Sequence, residues 1–188
     1  MVDLLQIINN VVNAITPGGG GGGLSGLLYI LSYMMGVGFV IVAIKGSAKR
    51  SELGKSAGSW SQPGWTFVIG VCFIALPGLV ESLTQTIFGQ SDRPAPESIF
   101  SYAPSTIGLL DADSPGRTMI VGIVTIIQFV GLVAVMRGLF LLNQSAQGSG
   151  GPKTFGPGLT FVIAGVMAVN FPLFVGVIEN LITAGSAD

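Results

Sequence analysis

Two carboxylates close apolar runs, each downstream of a proline: Glu81 follows Pro77 by four residues and Glu179 follows Pro172 by seven. At about 100° per residue, both offsets return the acid near the proline's face of a helix. A carboxylate beside a kink inside a membrane has the chemistry of a proton or cation site. The competing reading is an acid hydrated about one turn from the interface. Because each glutamate ends its uncharged run, the hydrated reading is favoured. The other charged constellation is basic. Lys45, Lys49, Arg50 and Lys55 crowd one loop against Glu52, while Arg137 and Lys153 flank a second loop that holds no acid.

Most enzyme chemistry is missing from the chain. There is no histidine, which removes imidazole acid-base catalysis and imidazole metal ligation. Cys72 is alone in an apolar run and has no partner for a disulfide within the chain. Asp111 and Asp113 lack the glycine and distal glutamate of a calcium loop. The glycine run Gly18–Gly23 is not followed by the Lys-Ser/Thr pair that a phosphate-binding loop needs. The residues therefore predict a protein that is not an enzyme, with no metal and no catalytic group. A formal net charge of −1 also argues against capture of nucleic acid by the chain as a whole.

The elements that carry these charges are apolar helices. Hydrophobic residues make up 49% of the chain and charged ones only 9%, a balance typical of membrane proteins. Charges avoid Leu24–Ile44, Gly64–Val80, Thr118–Met136 and Gly158–Ile178. Each stretch approaches the roughly 20 residues needed to cross a hydrocarbon core. The expected fold class is an all-α membrane protein of two tandem transmembrane hairpins, four spans in all, with an N-terminal amphipathic helix. Pro77 and Pro172 fall inside the second and fourth spans and should kink them.

A repeat supports the tandem arrangement. Pro63-Gly64-Trp65-Thr66-Phe67-Val68-Ile69 returns as Pro157-Gly158-Leu159-Thr160-Phe161-Val162-Ile163, and the preceding runs end in Lys45-Gly46 and Arg137-Gly138. The predicted organisation is an amphipathic helix over 1–17, a glycine linker over 18–23, and a first hairpin over 24–88. A polar, proline-rich outer loop over 89–117 and a second hairpin over 118–182 complete it. Lys and Arg favour the two hairpin tips over the opposite side by six to two, which places the tips in the cytoplasm and the termini outside. Trp60 and Trp65 bracket the entry of the second span, where indole prefers the interface. Leu4, Leu5, Ile8, Val11, Val12 and Ile15 recur at helical spacing in a segment too short to span, suited to an interface or to packing on a neighbouring subunit. Within the spans, Ser32/Gly36, Ala134/Gly138 and Ala164/Ala168 are small pairs at four-residue spacing that let helices approach closely.

An outer N-terminal stretch, two apolar helices and a short basic cytoplasmic turn form the plan of pilin subunits in conjugation and type IV secretion. The tandem, Gly-rich version over Leu24–Ile182 resembles the small membrane proteins of the Dot/Icm (type IVB) secretion systems and their IncI-type conjugation relatives. The IcmC/DotE and TraQ type is the nearest in plan. Loop charge and the placement of Gly and Pro carry the resemblance. Pilins of this class usually lose a long signal peptide, whereas Met1 opens directly on the amphipathic segment, so either processing is absent or the start is artificial.

The resemblance implies a non-enzymatic, homo-oligomeric structural subunit of a bacterial inner-membrane complex, with periplasmic termini, or of an extracellular filament. Its partners would be membrane lipid, copies of itself, other secretion or conjugation subunits, and translocating single-stranded DNA or protein. It implies no cofactor beyond a bound phospholipid. Carried over from the pilins, Lys45, Lys49, Arg50, Lys55, Arg137 and Lys153 become lumen-facing cations that offset phosphates; the plainer alternative is that they only fix topology. Two further classes stay open on the residues. One is a small oligomeric channel or transporter using Glu81 and Glu179. The other is a phage holin.

Overall fold

The computed structural model describes residues 4–15, 23–53, 60–89, 115–147 and 154–174. Among these the chain is all-helical: α1 (Leu4–Ile15), α2 (Leu24–Leu53), α3 (Ser61–Ile74), α4 (Leu76–Phe88), α5 (Pro115–Ala146) and α6 (Phe155–Val169). The tips holding Lys55 and Lys153 lie outside the described residues, as do most of the glycine linker and the outer loop. So does the C-terminal stretch with Glu179.

Two helices are long and apolar enough to cross a membrane, Leu24–Leu53 and Thr118–Ala146 within α5. The second apolar run is bent: α3 and α4 meet at 92°. The fourth gives α6, a shorter apolar helix, followed by a turn at Asn170 and one further helical turn to residue 174. The two breaks are built alike. Ala75 still donates its N–H to Val71 O (2.9 Å) and accepts from Leu79 N–H (2.8 Å), but its φ of −95° and ψ of 30° leave the helical region. Asn170 repeats this, donating to Val166 O and accepting from Phe174 N–H, each at 3.1 Å. In each case the proline, Pro77 or Pro172, stands two residues after the break. There it enters the first turn of the next helical segment, where a missing N–H costs little.

Contacts divide the chain into two compact units. One comprises Leu27–Val80 and Val133–Gly165, and so holds the α2/α3 hairpin with the tip-side halves of α5 and α6. Ala43, Ile69, Phe73, Val135, Leu139 and Val162 are among its buried apolar residues. Phe39 stacks at an angle on Phe73 (5.5 Å between centroids) and on Phe140 (6.4 Å). Backbones approach closely at two crossings. A Cβ on Gly36 would fall 2.7 Å from Gly70 O, and one on Gly138 would fall 2.8 Å from Gly158 O. Only glycine fits there.

The other unit holds α1, the start of α2, the second half of α4, the first half of α5 and the end of α6. In α1, Ile8, Val12 and Ile15 turn inward, while Asn9, Asn10 and Asn13 stay exposed. A Cβ on Gly122 of α5 would run into Ile8, with Val12 next to it, so the missing side chain is what seats α1. Ser25 Oγ donates to Ile15 O (2.9 Å) and closes the C-terminal end of α1.

Candidate functional site

The first helix break is chemically closed by α2. Pro77 has no N–H for the carbonyl four residues back, which is Phe73 O. Ser32 Oγ donates to that oxygen at 2.7 Å, in a buried setting. Ser32 and Gly36, predicted as a close-packing pair, thus do two different jobs on one face: the hydroxyl satisfies the freed carbonyl, and the glycine admits the backbone of α3. We expect Ser32→Ala to destabilise the chain by about 1 kcal/mol, because it orphans a buried carbonyl. Denaturant titration of purified protein, read against Ser47→Ala, checks this. Ser47 Oγ only back-bonds to Ala43 O within its own helix.

The second break carries a buried polar pair. Asn170 Nδ2 donates to Thr84 Oγ1 (2.7 Å) and to Val166 O (2.9 Å). Asn170 is fully enclosed and Thr84 nearly so. Asn170 Oδ1 is buried with no partner. Glu81, three residues before Thr84 on α4, is exposed.

The basic residues take distinct surroundings. Lys45, Lys49 and Arg137 are exposed. Arg50 is half-buried and donates from Nη2 to Gln62 Oε1 at 2.6 Å, tying α2 to α3 near the tip. The Arg137 guanidinium lies 5.4 Å from the centre of the Phe161 ring, a cation–π contact between α5 and α6. Of the other small pairs, Gly138 is buried against Val162 and Gly158, and Ala134 is half-buried. Ala164 is exposed and Ala168 half-buried, so within this chain Ala164 packs on little.

Several residues that matter here escaped the sequence reading: Gly70, Gly122, Thr84 and Asn170. Asn170 carried a signal, being an amide inside an uncharged run two residues before a proline. Gly70 and Gly122 carried none, because nothing separates them from the other glycines of a Gly-rich chain.

Near the tips, a groove of about 620 Å³ opens between the end of α2 and the start of α3. A smaller cavity of about 260 Å³ is lined by Trp65 and Ile69 of α3, Leu142, Ser145 and Ala146 of α5, and Phe155 of α6. No three of the metal-ligating types His, Cys, Asp and Glu come together among the described residues. What the arrangement offers is packing geometry, a first helix break whose freed carbonyl is satisfied, and exposed cations. The class it defines is a chain that is all-helical among the described residues, two of these helices being able to cross a membrane. No family model, curated protein or solved structure matches the chain.

Proposed function

We propose that this chain is a membrane-embedded structural subunit, without catalysis, that packs with copies of itself in a conjugation or type IV secretion assembly. That assembly would stand in the bacterial inner membrane or be drawn into a filament from it. The observation that supports this most is the outer face of α2. Only 17% of its apolar window is buried within the chain, and Leu27, Ile30, Leu31, Met34 and Ile41 all stand exposed. Such a surface is unstable in water and needs lipid or a neighbour. In this reading the bent α3/α4 pair and α6 with its continuation complete two hairpins, with cytoplasmic tips and outer termini. The exposed Lys45, Lys49 and Arg137 then face anionic headgroups or a lumen.

Deleting the gene tests the role: DNA or effector transfer should fall to background, and unchanged transfer would reject it. Orientation is tested by labelling a Ser51→Cys variant, in a Cys72→Ala background, with an impermeant thiol reagent. Ser51 should react only after the inner membrane is opened.

A second reading has its own observation. Two proline-associated helix breaks, one with the buried Asn170–Thr84 pair, match the discontinuous helices around which transporters bind ions. Purified protein that stays monomeric in mild detergent and conducts ions in liposomes would favour that reading.

A further inference from the structure

The two hairpins repeat in sequence but cross at different heights. In the second, the close approach is on the tip side of the hairpin, where Gly138 meets Gly158, and Leu142 of α5 covers Gly158 at 3.0 Å from where its Cβ would stand. In the first, the close approach is at Gly36 and Gly70, deeper by about two to three helical turns: Gly36 precedes Gly46, the repeat equivalent of Gly138, by ten residues, and Gly70 follows Gly64 by six. There the partners nearer the tip lie farther apart: a Cβ on Gly46 would stand 3.7 Å from Pro63 Cβ, and one on Gly64, the repeat equivalent of Gly158, would meet no described atom within 4 Å. The space so opened is the groove of about 620 Å³, with Ala43, Ser47 and Ser51 of α2 on one side and Trp60, just before α3, with Gly64 and Phe67 of α3 on the other. Among the described residues, no ionisable side chain lines it.

Its complement is on the same chain. Phe155, Leu159 and Ile163 form a ridge at four-residue spacing along α6, exposed by 54%, 45% and 44%. Trp65 and Phe155 line one cavity, so the starts of α3 and α6 stand at one level. In copies inserted with the same orientation, ridge and groove therefore meet at the same depth. A leucine already covers the equivalent glycine in the second hairpin, which shows the kind of group that fills such a site.

We infer that the Phe155–Leu159–Ile163 ridge of one copy seats in the groove over Gly64 of the next. This rests on the oligomeric reading above and adds the surface. The contact joins two different patches, so it is heterologous and propagates into a ring or a helical filament.

Two experiments in a Cys72→Ala background test it. First, differently tagged Gly64→Cys and Leu159→Cys copies are co-expressed and oxidised. A disulfide joining the two tags is expected, while two Gly38→Cys copies should not join. Second, Gly64→Leu fills the groove without meeting any described residue of its own chain, so the protein should fold normally, checked by circular dichroism, and lose its oligomer, measured as mass in mild detergent. An unchanged oligomer in Gly64→Leu, or joined Gly38→Cys copies with no mixed disulfide, overturns this surface while leaving the oligomeric reading intact. Loss of bound phospholipid in Gly64→Leu with unchanged oligomer mass also overturns it, making lipid the occupant. A monomeric parent protein overturns both.

Discussion

Valine at Gly36 or at Gly138 is expected to abolish folding. Each added side chain would begin under 3 Å from backbone atoms of the facing helix, at Gly70 and Ile74 in one case and at Gly158 and Val162 in the other. Backbone cannot rotate away as a side chain can, so the helices must separate along the whole hairpin. The loss should exceed about 4 kcal/mol, the range reserved for steric breakage of a core. Gly38 is the internal control. It lies on the same helix with nothing within 4 Å, so Gly38→Ala should be neutral or gain up to about 1 kcal/mol of helix propensity. Denaturant unfolding in one detergent, followed by circular dichroism, separates the two classes. Equal behaviour of Gly36→Val and Gly38→Ala would mean that the crossing is misplaced.

Asn170→Asp should be the most damaging single polar change. It replaces a donor to Thr84 Oγ1 and Val166 O with a carboxylate in an enclosed site. The expected cost is about 3 kcal/mol or more. Asn170→Leu keeps the branched shape but replaces the amide O and NH2 by two larger methyl groups, so its cost should be about 1–3 kcal/mol. Combined with Thr84→Val, it should show a coupling of about 0.6 to 1.7 kcal/mol, the range for hydrogen bonds between helices in apolar surroundings. Additive behaviour of Asn170→Leu and Thr84→Val would show that the pair contributes nothing jointly.

The long helices were legible in the sequence because length and absence of charge are properties of a run, independent of what it packs on. Leu24–Ile44 and Thr118–Met136 fall inside the two helices able to cross. The proline at 77 announced a disturbance, but not a 92° turn. That angle depends on Ala75 leaving the helical region and on Ser32 satisfying Phe73 O from another helix. Ser32 illustrates the limit well. Its size suggested close packing, whereas its hydroxyl is what the fold uses. The repeat also concealed a difference: identical Pro-Gly starts at 63 and 157 gave no hint that the hairpins cross at different heights. Crossing height is decided by which pair of glycines meets, and each hairpin has several to choose from. For the basic residues, charge was readable, but the capture of Arg50 by Gln62 and the seat of Arg137 over Phe161 depend on helix rotation.

The docking of α1 on Gly122 sets an order of events during synthesis. Ile8 leaves the ribosome long before Gly122 exists, and at about 5–20 residues per second the wait is on the order of ten seconds. Through that interval Leu4–Ile15 has an apolar stripe and no slot to bury it in, so the bilayer surface is its natural resting place. In the membrane-embedded subunit proposed above, α1 would hold the growing chain at one leaflet while the later helices are threaded. Once α5 arrives, the same stripe would pass from lipid to the slot at Gly122, turning a temporary anchor into a permanent strut.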